Sequence, residues 1–263
     1  MLSTEYNRLF TFGCSFTDYH WITWADIVAE YLNIEAYNFG MPGANNMGIA
    51  WTILQADRQY KFTSEDCLIV EWTTLGRDYI LVKDFDTVNV RTFYHTNRDT
   101  FGNSTGDLRH VFNNIQQMYT IGKAYNIHSV HMANNSQYLQ MIIETLYKNN
   151  KLEVERMCEI YADLLNQPNF VDTVFNGGFD FNKEKYNIAD DHPLPNEHYE
   201  FCNKIFGITL NQSLQEKINQ STDAVRNILC NVPSTHYIKH KKVENLSKIK
   251  YRLFPNKWSS CEI

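Results

Sequence analysis

Hydrophobic positions along the chain alternate between two rhythms. Residues 9–12, Leu-Phe-Thr-Phe, are apolar on both faces and stop at Gly13, as expected of a first, central strand. Over residues 18–32, Trp21, Trp24, Ala25, Ile27, Val28 and Tyr31 recur at helical spacing. A second strand is predicted over 36–39, and the Gly- and Asn-rich loop 40–46 opens a helix over 47–60. Residues 67–72, Cys-Leu-Ile-Val-Glu-Trp, read as the clearest buried strand. Little periodicity follows over 73–106, which is expected to be irregular and to shape a pocket. A long helix is predicted over 107–125, with Val111, Ile115, Met118 and Ile121 on one face. A fourth strand is expected over 129–132, helices over 137–147 and 152–165, and a marginal fifth strand over 170–175. After a polar loop over 176–189, Pro195 starts a helix that runs past Ile205. Strands and helices alternating at these lengths predict an α/β fold, with helices on both faces of a parallel sheet.

Composition narrows the class. The 263 residues suffice for one sizeable domain, and 43% hydrophobic with 21% charged residues is ordinary for a globular protein. A net charge of −6 argues against a nucleic-acid partner. The six cysteines form no CxxC pair and read as reduced thiols. Residues 1–5 lack a basic segment leading into an apolar one, so no signal peptide is expected. No apolar run approaches the ~18 residues of a membrane span. A cytoplasmic location is the resulting expectation.

The last residues differ in character. Seven Lys/Arg stand against the single acid Glu244 over 239–257, interleaved with Tyr251, Phe254 and Trp258. The chain is therefore divided into an α/β domain over 1–232 and a basic, aromatic tail over 233–263. Such a tail either packs its aromatics back onto the domain, the favoured reading, or docks on a protein or anionic surface.

Gly13-Cys14-Ser15 carries the first chemical signal. A strand that stops at glycine presents a serine at the sheet's upper edge, and a helix start behind it favours developing negative charge. Ser15 as a helix N-cap is the plainer alternative. His128 and His131 lack acid or thiol partners at ligand spacing, so no metal is expected. Nor is there a phosphate-binding glycine motif. Trp21 and Trp24 read as core residues, and Tyr19 and His20 as a possible sugar-stacking wall. Glu197 and Asp78 read as solvated charges.

Taken together, Gly13-Cys14-Ser15, the loop from Asn38 to Asn46, Trp72-Thr73-Thr74 and Asp190-Asp191-His192-Pro193 resemble the separated blocks of the SGNH (GDSL-type) hydrolases. They are most similar to a divergent set from phage and marine microbial sequences. The resemblance implies a three-layer α/β/α flavodoxin-like fold with a parallel sheet of about five strands in the order 2-1-3-4-5. It implies that Ser15 is the nucleophile, that His192 is the base, and that backbone N–H groups of Ser15 and Gly43 line an oxyanion hole. Each role suits the chemistry, because serine needs a base to become nucleophilic and the oxyanion needs preorganised donors.

Two positions depart from the family pattern. Its asparagine after the third strand is missing, which leaves Thr74 and Asn46 as the favoured side-chain donors, with Thr73, Asn45 and Arg77 behind them. Its acid three residues before the histidine is Ala189 here, so Asp190 is assigned to orient His192, with Asp191 second. His198 is the runner-up base. The activity implied is hydrolysis of a small acyl ester, foremost an O-acetyl group on a carbohydrate, with no cofactor. A binding or structural module with a weakened site and a sugar O-acyltransferase are the alternatives.

Overall fold

The apolar run ahead of Gly13 forms β1 (Arg8–Gly13) at the centre of a parallel sheet, between β2 (Glu35–Gly40) and β3 (Asp66–Trp72). The computed structural model describes residues 2, 5–75, 77–84, 87–94, 104–133, 151–175, 190, 192–230, 245–250 and 252–253. Leu9, Phe10, Thr11 and Phe12 are all fully buried, as a strand covered on both faces requires. Helices α1 (Trp24–Leu32) and α2 (Asn46–Tyr60) make the first two crossovers. Right-handed crossovers to strands on opposite sides of β1 put these two helices on opposite faces of the sheet.

Two further strands, β4 (Arg77–Asp84) and β5 (Thr87–Tyr94), pair antiparallel apart from the main sheet. Helix α3 (Ser104–Ala124) packs on α2, and β6 (His128–His131) completes the sheet beside β3. Then come α4 (Lys151–Ile160), α5 (Ala162–Leu165), α6 (Phe170–Phe175), α7 (Pro195–Phe206) and α8 (Gln212–Leu229). On the other face, α7 packs against α1, α6 and α8. The sheet order β2-β1-β3-β6 is the expected order of the first four strands. The five described cysteines are free thiols. Among the described residues no helix is long and apolar enough to cross a membrane.

Three expectations are corrected. The fifth strand over 170–175 is α6 instead, and among the described residues the main sheet has four strands. Asn169 ends the strand-like course: its Oδ1 accepts from the Asp172 N–H at 2.8 Å, and its Nδ2 donates to Asp172 Oδ2 at 3.0 Å. This Asn-x-x-Asp pairing starts a helix and outweighs the β-branched composition behind it. Only the approach is strand-like, where the His131 N–H donates to the Pro168 carbonyl and the Val171 N–H to the Met132 carbonyl. The region expected to be irregular carries the β4–β5 hairpin, whose period-2 alternation over 87–94 was masked by its polar positions. Residues 212–229, assigned no element from the pattern, form α8, capped by Asn211 and buried through Leu214, Ile218, Val225 and Leu229. The helix predicted over 137–147 lies outside the described residues.

Glu71 on β3 is fully buried beneath the loop that follows β1. Its Oε2 accepts from Thr17 Oγ1 at 2.8 Å and from Trp24 Nε1 at 3.4 Å, while no hydrogen bond from the described residues reaches its Oε1. Burial pushes its carboxyl up from 4.5 to about 7, against the smaller pull of those donors. A carboxyl with a raised folded-state pKa holds a proton that the unfolded chain releases, so stability falls as pH rises from 4.5 towards about 7. Glu71→Gln removes this loss. Its unfolding free energy relative to wild type should therefore rise by ~2–3 kcal/mol between about pH 5 and about pH 8. Urea denaturation of both proteins across that range checks this, and parallel pH profiles would refute it.

Candidate active site

The carboxyl ends of β1, β2 and β3 deliver three loops to one edge of the sheet, where ligands bind in open α/β folds. Ser15 follows β1 in a tight turn, in which the N–H groups of Thr17 and Asp18 both donate to the Cys14 carbonyl. The helix expected directly behind Ser15 begins only at Trp24. Thr23, not Ser15, is the N-cap of α1. Residues 19–21 leave the helical path, with the Tyr19 and Trp21 side chains reaching Asp190, His192 and Pro193.

That loop brings Asp190 and His192 to Ser15. The His192 Nδ1 lies 2.7 Å from Asp190 Oδ1, and its Nε2 lies 2.8 Å from Ser15 Oγ. An ionised carboxylate only accepts, so Nδ1 carries the proton and Nε2 presents its lone pair to the serine hydroxyl. Asp190 Oδ1 also accepts the His192 backbone N–H at 3.0 Å, which closes a small ring between the two residues. Asp190 is 2% exposed and Ser15 7%, whereas the His192 side chain keeps 26% of its surface open to solvent.

An aromatic cradle fixes the imidazole. Tyr19 stacks on it with centroids 3.8 Å apart and planes 15° apart, and the Tyr19 hydroxyl donates to Asp190 Oδ2 at 3.0 Å. Phe16 meets the same ring edge-on at 5.8 Å. Trp21 Nε1 donates to the Pro193 carbonyl at 2.8 Å, which ties down the following residue. Sequence periodicity hid Tyr19, because its partner lies 171 residues away.

The remaining candidates take varied positions. Gly43 sits at φ +83° in the loop after β2, a conformation that suits glycine. This loop is anchored to β1, since the Met41 N–H donates to the Gly13 carbonyl at 3.0 Å. Asn45 caps α2 by accepting from the Gly48 N–H at 2.7 Å. Asn46 Oδ1 accepts the Thr73 N–H at 2.8 Å and its Nδ2 donates to the Thr73 carbonyl at 3.1 Å, which splices the second loop to the third. The Thr73 hydroxyl lies 3.8 Å from Met132 Sδ. The next hydroxyl, Thr74 Oγ1, is buried without a hydrogen-bond partner among the described residues. Arg77 is buried beneath these loops and donates from Nη1 to the Ala44 carbonyl at 3.2 Å.

His198 is not hydrogen-bonded to Ser15. It is buried on α7 between the rings of Phe16 and Phe170, where burial, aided by His192 and Lys250, holds the imidazole neutral well below its usual range. Glu197, expected as a solvated charge, is buried and its Oε2 accepts from the Leu194 N–H at the start of α7. Trp21 and Trp24 are buried packing residues. Asp191 lies outside the described residues. His131 Nε2 donates to the Leu164 carbonyl at 2.8 Å, and burial lowers the imidazole pKa to about 4 against the smaller opposing pull of that bond. Among the described residues, no cluster of three or more His, Cys, Asp and Glu side chains is arranged to hold a metal ion.

Neither a family model nor a curated protein matches the chain. Among solved structures, it is similar to a member of the lipolytic protein G-D-S-L family from Veillonella parvula DSM 2008. The identity is 14% and the TM-score 0.39, over 76% of this chain and 97% of that one.

Proposed function

We propose that the protein is a serine esterase of the SGNH type that removes a small acyl group, with O-acetyl groups on a carbohydrate as the substrate class. The observation that carries this reading is the unbroken hydrogen-bonded path from Asp190 through His192 to Ser15 Oγ. The carbohydrate O-acetyl class rests on the resemblance of the short sequence blocks.

In the proposed cycle, His192 Nε2 takes the Ser15 proton as Oγ attacks the ester carbonyl. Asp190 holds the ring in the required tautomer and stabilises the imidazolium. The oxyanion is held by the backbone N–H groups of Ser15 and Gly43 and by the Thr74 hydroxyl, which has no competing partner among the described residues. Asn46 then serves as the splice that sets Thr73 and Thr74 in place. As the tetrahedral intermediate collapses, His192 gives its proton to the departing alcohol. Water, deprotonated by the same imidazole, attacks the acyl-enzyme and releases the acid and Ser15.

Acetate release from an acetylated oligosaccharide and from p-nitrophenyl acetate tests the reading. Turnover by the wild-type protein is expected on both, and none on either would refute it. Thr74→Val keeps the side-chain shape while removing the donor, and should lower kcat by ~10²–10³-fold with little change in KM. An unchanged kcat would exclude that hydroxyl from the oxyanion hole.

A further inference from the structure

The loop at residues 19–21 is gripped from two sides. One side faces the proposed site: Tyr19 holds Asp190 and His192, and Trp21 holds the Pro193 carbonyl. The other side faces a helical segment at residues 245–250, far along the chain. Each of the three loop residues has its own tie to that segment. The Tyr19 carbonyl accepts from Lys250 Nζ at 3.2 Å, His20 Nδ1 lies 3.2 Å from Ser247 Oγ, and Trp21 shares a buried cluster with Leu246.

Lys250 is the unusual member. It is 4% exposed, and a buried ammonium is costly unless it is fully partnered. Its Nζ lies 3.0 Å from Asp26 Oδ2, 3.1 Å from Asp18 Oδ1 and within reach of the Tyr19 carbonyl, so two carboxylates and a backbone dipole surround it. Asp26 is itself buried and already receives the Thr23 N–H at the start of α1. The cation thus ties the helix start and the Tyr19 backbone to one point. A surface tail needs no such arrangement, since exposed ion pairs hold little.

We propose that Lys250 and Tyr19 are positioning residues for the Asp190–His192 pair, so that a segment near the C-terminus completes the active site formed near the N-terminus. Lys250 fixes the Tyr19 backbone, and Tyr19 fixes both the carboxylate, through its hydroxyl, and the imidazole, through its ring. The inference rests on the esterase reading for its catalytic consequence but not for its structural one.

The test joins kinetics to a spectroscopic signature on the full-length protein. In 15N-histidine NMR, wild-type His192 is expected as a single Nδ1–H tautomer. Lys250→Met is expected to give a mixture of tautomers and to lower kcat by ~10²-fold with KM within ~2-fold, the cost of a small misplacement of a catalytic group. Lys250→Arg, which keeps the charge, should recover most of both. Tyr19→Phe keeps the stacking but removes the donor to Asp190, and should lower kcat by ~10-fold or more. If Lys250→Met does not fold, Tyr19→Phe and Lys250→Arg decide the matter by the same readouts. A folded Lys250→Met protein with wild-type tautomer and kcat, or a Tyr19→Phe protein with unchanged kcat, would overturn the proposal. An inactive wild type would refute the esterase reading instead, leaving the NMR comparison to decide the positioning claim.

Discussion

Replacing His192 by alanine is expected to lower kcat for ester hydrolysis by ~10⁵-fold, with the protein still folded. Removing the base of a serine–histidine pair costs nearly as much as removing the whole relay, because its members act as a unit. Among the described residues, no other histidine is hydrogen-bonded to Ser15. His198 is enclosed by Phe16 and Phe170 and makes no hydrogen bond to Ser15. The residual rate should be that supported by the oxyanion donors and binding alone, and KM should change little. Steady-state kinetics on p-nitrophenyl acetate, with circular dichroism to verify folding, checks this. A loss below about tenfold in a folded variant would mean that His192 does not deprotonate Ser15.

Gly13→Ala is expected to cause a large loss of stability. A Cβ at this position would lie 2.0 Å from Thr17 Oγ1, 3.0 Å from Thr17 Cβ and 3.1 Å from Glu71 Cβ. Thr17 cannot swing aside cheaply, because it is fully buried and its hydroxyl donates to Glu71 Oε2 at 2.8 Å. The backbone at φ +158° adds strain for any side chain. Displacing Thr17 would also strip a donor from a buried carboxyl. The combined cost should be ~3–5 kcal/mol, within the range of overpacking plus a broken buried hydrogen bond. Chemical denaturation measures it. A loss under about 1 kcal/mol would show that the turn carrying Ser15 adapts easily.

Local patterns made the four main strands legible, because each is a short run of largely apolar residues ended by a glycine or polar loop, while their order came from the family resemblance. The same holds for α2, α3 and α7, whose buried faces recur at helical spacing. Ser15, His192 and Asp190 were legible through the resemblance of the short blocks that hold them, and the fold links them as a chain, Asp190 to His192 and His192 to Ser15. What stayed hidden depends on contacts between distant residues. The aromatics at 19–21 match the period of α1, yet they turn away to meet partners 171 and 172 residues on. The tie between Lys250 and Asp18 spans 232 residues, and the composition of the tail marked it only as basic and aromatic. At Phe170–Phe175, strand propensity lost to the Asn169–Asp172 cap. Conversely, the Asn46 amide was expected at the oxyanion hole and is found holding the Thr73 backbone, a partner that composition does not disclose.

Intact-mass spectrometry after incubation with a fluorophosphonate probe tests the central claim most directly. An activated serine forms a covalent phosphonyl adduct, whereas a structural serine does not. The account predicts a single adduct on the wild-type protein, none on Ser15→Ala and a strongly reduced yield on His192→Ala. A folded wild-type protein that takes up no adduct, or one labelled equally well without Ser15, would contradict it.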